Sequence, residues 1–210
     1  MLPLGLGPGY GGINCLRNVA TEGEDQSMKY ASEDLRVEHE GVLFGLDILE
    51  KMADTIRRGG VVDFGDAKEM VNFFRLFADK CHHGKEEGLL FPAMEKAGIP
   101  NKGGPIGSML LDHNQGRQYI AEMGATAEGS ALQTDRFLEA ATNYVQLMRA
   151  HIDRENSVLF PAGDRMLPAE VQKQLLDRFE GFEEEVMGKG THDKLHETLH
   201  RLEGKYLQTA

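Results

Sequence analysis

Apolar residues recur every three or four positions along most of the chain, and this spacing is typical of amphipathic α-helices. The first such stretch begins at Ser32, which can cap a helix, and ends at the Arg-Arg-Gly-Gly sequence of residues 57–60. No segment keeps the alternation of apolar and polar residues that a half-buried β-strand requires. The pattern therefore predicts an all-α protein. Five further helices are predicted at about residues 66–92, 106–128, 134–160, 168–187 and 191–207.

The four long helices and their short connections predict an up-down-up-down four-helix bundle. We assign residues 31–165 to this bundle and residues 166–210 to an extension of one or two helices that packs on it. Residues 1–30 contain many glycines and show no apolar period, which predicts a flexible N-terminal extension. A site formed by the long helices would lie inside the bundle, between facing helices.

An internal repeat marks two of the long helices. The sequence HHGKEEGLLFP at residues 82–92 aligns without gaps on HIDRENSVLFP at residues 151–161. In each copy a histidine is followed four positions later by a glutamate, and an acid–histidine pair stands on the preceding helix. The chain therefore contains two helical hairpins of the same design. The pairs are His82 with Glu86, His151 with Glu155, Glu38 with His39, and Asp112 with His113.

The spacing of these residues predicts a metal site. Residues four positions apart lie on one face of a helix, so each His–Glu pair presents an imidazole and a carboxylate to the same point. Nitrogen and oxygen donors without thiolate suit iron, manganese or zinc. Two carboxylates that can bridge favour a centre of two metal ions over a centre of one. The predicted ligands are His39, His82, Glu86, His113, His151 and Glu155.

The register within the first copy has an alternative, because His83 and Glu87 form a second pair with the same spacing. Adjacent helical residues point about 100° apart, so both pairs cannot face the bundle axis equally. The repeat alignment selects His82 and Glu86. The helix face agrees, because apolar residues precede His82 by one and two turns, whereas the more polar set of Asp79, Leu76 and Asn72 precedes His83. The competing interpretations are a solvated His–Glu pair, a hydrogen-bonded core histidine and a purely structural bundle.

The order His, HxxxE, His, HxxxE on four successive helices resembles the hemerythrin-like, or HHE cation-binding, family over residues 32–163. The resemblance implies a bundle that holds two non-haem iron ions through the six residues named above. It also implies that both carboxylates bridge the irons together with an oxo or hydroxo group. Oxygen-carrying members have a further histidine where this chain has Arg117. The site then has one ligand fewer or uses His83, and simple reversible oxygen carriage is disfavoured.

Composition narrows the classes of partner. The net charge of -11 and the pI near 5.2 predict repulsion from phosphate backbones, so we expect neither nucleic acid nor an anionic membrane as a partner. No apolar run is long enough to cross a bilayer. The two cysteines, Cys15 and Cys81, do not suggest a structural disulfide. These features predict a cytoplasmic protein.

Three functions fit these expectations. The leading one is a di-iron protein that binds or senses oxygen or a related small oxidant, with a diatomic molecule or peroxide as its ligand. The second is a di-iron oxidoreductase that acts on peroxide or nitric oxide, in a stress response or iron-centre repair, with a separate redox partner protein. The third is a module for iron storage or iron sensing. The residues leave open whether the protein is an enzyme.

Overall fold

The computed structural model describes residues 29–129 and 131–208, and all regular secondary structure in this part of the chain is helical. The prediction of an all-α protein is confirmed for these residues. The predicted flexible extension at residues 1–30 lies almost entirely outside them. The elements are α1 (Ala31–Arg57), α2 (Phe64–Phe73), the π-helical segments π1 (Phe74–His83) and π2 (Glu86–Leu90), α3 (Phe91–Lys96), α4 (Pro105–Thr126), α5 (Thr134–Arg154), the π-helical segment π3 (Glu155–Leu159), α6 (Phe160–Met166), α7 (Ala169–Met187) and α8 (Thr191–Tyr206).

Four long helical columns form a bundle. The columns are α1, the continuous helical run from α2 to α3, α4, and the continuous run from α5 to α6. Helices α1 and α4 both pack against α5, and both also contact π1. Because each of these helices contacts two neighbours, the columns enclose a common interior.

Two apolar clusters fill the interior, and a polar layer separates them. Along α1, Leu35 belongs to one cluster and Val42 to the other, and His39 lies between them. The α4 column follows the same order and the other two columns follow the reverse order, so each column changes from one cluster to the other at the level of a predicted ligand. The flanking residues are Ala78 and Leu89, Met109 and Ile120, and Ile152 and Leu159.

The five-residue segments π2 and π3 occupy matching places in the two copies of the repeat. They begin at Glu86 and Glu155, and each is followed directly by a Phe-Pro sequence. The predicted helix ends near Pro92 and Phe160 were wrong, because α3 and α6 continue both helices beyond them. Proline lacks an amide proton and its ring crowds the preceding helical turn. A wider π turn directly before the proline gives the ring room, so the helix can continue.

Helices α7 and α8 follow the bundle and pack on its surface. Helix α7 contacts α1 and π1, and α8 contacts α1 and α2. Gly84 permits the close approach of α7, because a Cβ atom at this position would lie only 2.8 Å from the ring of Phe182. Among the described helices, each is too short or too polar to cross a membrane.

Asp66, at the start of α2, ties α8 to the bundle. It is buried, and its carboxylate accepts hydrogen bonds from Arg201 Nη1 at 2.8 Å, Lys205 Nζ at 2.5 Å and the Tyr206 hydroxyl at 2.8 Å. Burial would raise the pKa of Asp66, but the hydrogen bonds from these three residues lower it below its ordinary value. The ionised carboxylate is therefore part of the contact between α2 and α8.

Replacing Asp66 with asparagine is expected to loosen α8. The cost is about 1–2 kcal/mol at neutral pH, because the cationic partners are half exposed. Since the folded-state pKa is lowered, this stabilisation is present above the ordinary carboxyl pKa of about 3.9 and is lost as the pH falls through the folded-state value. Hydrogen exchange of residues 191–206 at pH 7 is the measurement, and faster exchange is expected. Unchanged exchange would show that apolar packing alone holds the helix.

Candidate metal centre

The structure brings all six predicted ligands into the polar layer between the two apolar clusters. Each of the four columns contributes at least one of them, and none is more than 2% exposed. The imidazoles and carboxylates therefore share one dry region at the centre of the bundle. They are His39 from α1, His82 from π1, Glu86 from π2, His113 from α4, His151 from α5 and Glu155 from π3.

The potential ligands form two groups, which we call the first and second positions. The first position consists of His39, His82, Glu86 and Glu155. The second position consists of Glu86, His151, His113 and His83, the last of which was not among the predicted ligands. Within each group, one donor atom of every residue lies within 4.8 Å of the others. Glu86 belongs to both groups, so the two positions are adjacent.

Each buried carboxylate lies between imidazoles of the two positions. Glu155 approaches one histidine of each position, and Glu86 does the same with the other two. This is the arrangement that a pair of bridging carboxylates requires. The distances from carboxylate oxygen to Nε2 are 3.2 Å for Glu155 to His39, 3.2 Å for Glu155 to His151, 3.7 Å for Glu86 to His82 and 3.3 Å for Glu86 to His113.

A cation would stabilise the buried polar groups of this layer. Within the part of the chain that the structure describes, both oxygens of Glu86 and of Glu155 are buried without a hydrogen-bond partner, as is Nε2 of His39 and of His82. Burial, together with the neighbouring Glu155 carboxylate, raises the pKa of Glu86 well above its ordinary value. Unpaired buried polar groups and adjacent buried carboxylates are both unfavourable unless a positive charge lies between them. The residues present therefore fit a metal centre.

A proton supplies part of this positive charge in the metal-free protein. Burial would lower the pKa of His151, but Glu155 and Asp112 raise it to about 9. A metal ion that binds at the second position must therefore displace a proton from His151. Burial lowers the pKa of His82 to about 4 against the influence of Glu38, so this imidazole is neutral at pH 7 and ready to coordinate.

The family model for the hemerythrin HHE cation-binding domain matches residues 30–162. The chain belongs to this family. The matched region begins at the residue before α1 and ends within α6, so the HHE domain includes all four columns and every residue of the polar layer. The family supports cation binding at the site that the buried carboxylates mark.

Similar proteins occur in mycobacteria. They include uncharacterized protein Mb2018 of Mycobacterium bovis and uncharacterized protein Rv1995 of Mycobacterium tuberculosis, each 29% identical to this chain over 167 residues. The alignment covers 76% of this chain and 63% of each relative, so the chain spans less than two thirds of the length of these curated relatives. No solved structure matches the chain.

Each of the four predicted histidine ligands is held at Nδ1 by an oxygen from another column of the HHE domain. A carboxylate or amide oxygen only accepts, so Nδ1 carries the proton and Nε2 faces the interior as a potential ligand. Such partners fix both the tautomer and the ring orientation. The contacts are His82 with Glu38 at 2.8 Å, His151 with Asp112 at 3.4 Å, His39 with Asn156 at 3.0 Å and His113 with Glu87 at 2.7 Å.

These outer partners follow the internal repeat. Glu38 and Asp112 each precede a histidine ligand in the chain, and the structure places both behind a histidine of another column. Glu87 was considered only as an alternative to Glu86, and Asn156 was missed. Both directly follow a repeat glutamate, at a position that is polar in both copies. The repeat alignment itself was the signal that could have found them.

Sequence reasoning placed His83 on the wetter face of its helix, and this was wrong. His83 is 1% exposed and lies in the same polar layer as His82. Both histidines end the π1 segment, whose wider turn reduces the angle between successive side chains relative to an α-helix. The argument that adjacent residues cannot both face the axis holds for an α-helix, and π1 is not one.

Proposed function

We propose that this HHE domain holds two non-haem iron ions and binds or senses oxygen or a related small oxidant. In the proposed centre, Glu86 and Glu155 bridge the irons together with an oxo or hydroxo group, inside an up-down-up-down bundle. One observation carries the proposal: each of two fully buried carboxylates lies between imidazoles of two adjacent positions. The terminal ligands are His39, His82, His113 and His151.

The burial of the centre supports a small ligand. None of the six proposed ligands is more than 2% exposed, so the interior suits a molecule of a few atoms, such as a diatomic gas or peroxide, better than an organic substrate. Iron bound here would supply redox chemistry, and the chain supplies oriented imidazoles and a dry surrounding layer. The ring of Phe160 stacks on His39 at 5.4 Å and is part of that layer.

A di-iron oxidoreductase that acts on peroxide or nitric oxide is the second candidate, and Arg117 favours it. At the position where oxygen-carrying members of the family have a ligand, this chain has a guanidinium that is bound by Asp79 and Glu87. A cationic side chain held by two carboxylates does not coordinate iron. The ligand set therefore differs from that of the oxygen carriers, which leaves redox turnover open.

Metal content and the visible spectrum test the proposal. Protein loaded anaerobically with Fe(II) is expected to hold two irons per chain and, after exposure to air, to show oxo-bridged ferric absorption that bleaches on reduction. A spectrum that returns reversibly with oxygen supports binding or sensing, whereas direct oxidation to the ferric state supports the oxidoreductase. Failure to retain iron after anaerobic loading would overturn both functions.

A further inference from the structure

We propose that His83 is a third imidazole ligand at the second position, and that Arg117 is a positioning residue behind it. This inference rests on the proposed di-iron function and adds a ligand to it. The two positions then differ, because the second has three imidazoles and the first has two.

The surroundings of His83 require a partner that the protein does not provide. The side chain is buried, and neither ring nitrogen has a hydrogen-bond partner among the described residues. The ring is stacked on His113, with centroids 3.8 Å apart, and lies 5.6 Å from the ring of His151. A buried imidazole with two unpaired nitrogens is unfavourable unless an additional group binds it. A metal ion shared with His113 and His151 would be that group.

His83 has no polar counterpart in the second copy of the repeat. The gapless alignment of the two copies places Ile152 opposite His83, and Ile152 is a buried apolar residue of the core. Two positions further on, both copies keep a cation that binds an outer carboxylate, since Lys85 binds Glu38 and Arg154 binds Asp112, each at 2.7 Å. An isoleucine satisfies the packing at this point of the repeat. The histidine in the first copy is therefore not required by packing, which points to a role in coordination.

Arg117 fixes the groups behind the second position. Its Nε donates to Asp79 Oδ1 at 2.7 Å, and its Nη2 donates to Glu87 Oε1 at 2.7 Å. The same Glu87 oxygen accepts from His113 Nδ1, and the same Asp79 oxygen lies 3.7 Å from His83 Nδ1. One guanidinium thus orients the carboxylates behind both stacked imidazoles. Arg117 occupies the place of a ligand in oxygen carriers, and here it supports a ligand from another helix.

The decisive variant is His83→Ile, which places the residue of the second copy into the first. Anaerobic titration with Fe(II) against a competing chelator is expected to show one ion bound as in the wild type and the other bound at least about 100-fold more weakly. Arg117→Gln is expected to weaken the binding of the same ion by about 10-fold, which is the smaller effect expected for a residue that acts through a ligand's hydrogen-bond partner. His200→Gln, on the exposed face of α8, is the control and is expected to leave both affinities unchanged.

A second variant and a structural readout separate coordination from folding. His83→Gln keeps a polar side chain, so it guards against a packing defect, and the same selective weakening is expected. X-ray absorption of the iron-loaded protein is expected to show fewer imidazole ligands in both His83 variants, while the unfolding midpoint of the metal-free protein does not fall. Two irons in the wild type with unchanged affinities in both variants would overturn the role of His83 alone. A wild type that binds no iron would overturn the di-iron function as well.

Discussion

A variant that carries both Glu86→Gln and Glu155→Gln is expected to bind neither iron. An amide keeps the shape of the carboxylate but is neutral, so it cannot bridge two cations. The metal-free variant is expected to be about as stable as the wild type. Replacing Glu86 removes a buried carboxylate whose ionised state is unfavourable, whereas replacing Glu155 removes an ionised partner of His151. Iron content after anaerobic loading and urea unfolding of the metal-free protein measure the two effects.

The two measurements together make the test specific. A structural role for the two glutamates predicts a loss of stability with no change in iron content, whereas a metal-binding role predicts the reverse. The control exchanges two exposed glutamates on the same columns, Glu95→Gln in α3 and Glu139→Gln in α5, and is expected to bind iron as the wild type does. Full iron content in the Glu86/Glu155 variant would place the centre elsewhere and contradict the proposed function.

The helices and the polar layer could be predicted because both depend on short-range spacing. A histidine and a glutamate four positions apart share a helix face, and finding that pair twice in one frame identified the columns that face each other. The apolar residues before and after each ligand predicted which face of the helix is buried, as Leu35 and Val42 do around His39. These features depend on residue type and period, which the chain displays directly.

The π-helical segments could not be predicted from the same period. A π turn changes the hydrogen-bond pattern of the backbone without any characteristic side chain, so nothing in the spacing distinguishes it from an α-helical turn. Its consequences are large here, because π1 turns His83 inward beside His82 and the segments before Pro92 and Pro161 let both helices continue. The sequence shows the Leu-Phe-Pro repeat, but it does not show that a π-helical turn comes directly before each Phe-Pro pair.

Lys85 carries a buried positive charge that three acidic residues stabilise. It is 2% exposed, and its ammonium lies 2.7 Å from Glu38, 3.1 Å from Asp34 and 3.7 Å from Glu183 on α7. Burial would raise the pKa of Glu38, but Lys85 and His82 lower it to about 2. The equivalent pair in the second copy differs, because Arg154 is 42% exposed and solvent screens it. The Lys85–Glu38 and Arg154–Asp112 pairs occupy the same place in the repeat, but they should contribute very differently to the free energy of unfolding.

Replacing Lys85 with methionine is therefore expected to destabilise the metal-free protein by about 3–5 kcal/mol, since Glu38 is left buried without its cation. The matched control is Lys80→Met, an exposed lysine of π1, which should change stability by no more than about 0.5 kcal/mol. Adding Glu38→Gln to Lys85→Met is expected to recover most of the loss, because Asp34 and Glu183, the carboxylates that then lack Lys85, are partly exposed, while an oxygen still faces His82 Nδ1. Urea unfolding of the wild type and these three variants measures the differences in stability. If Lys85→Met costs no more than Lys80→Met, Glu38 does not depend on Lys85, and the hold on His82 must come from packing around its ring.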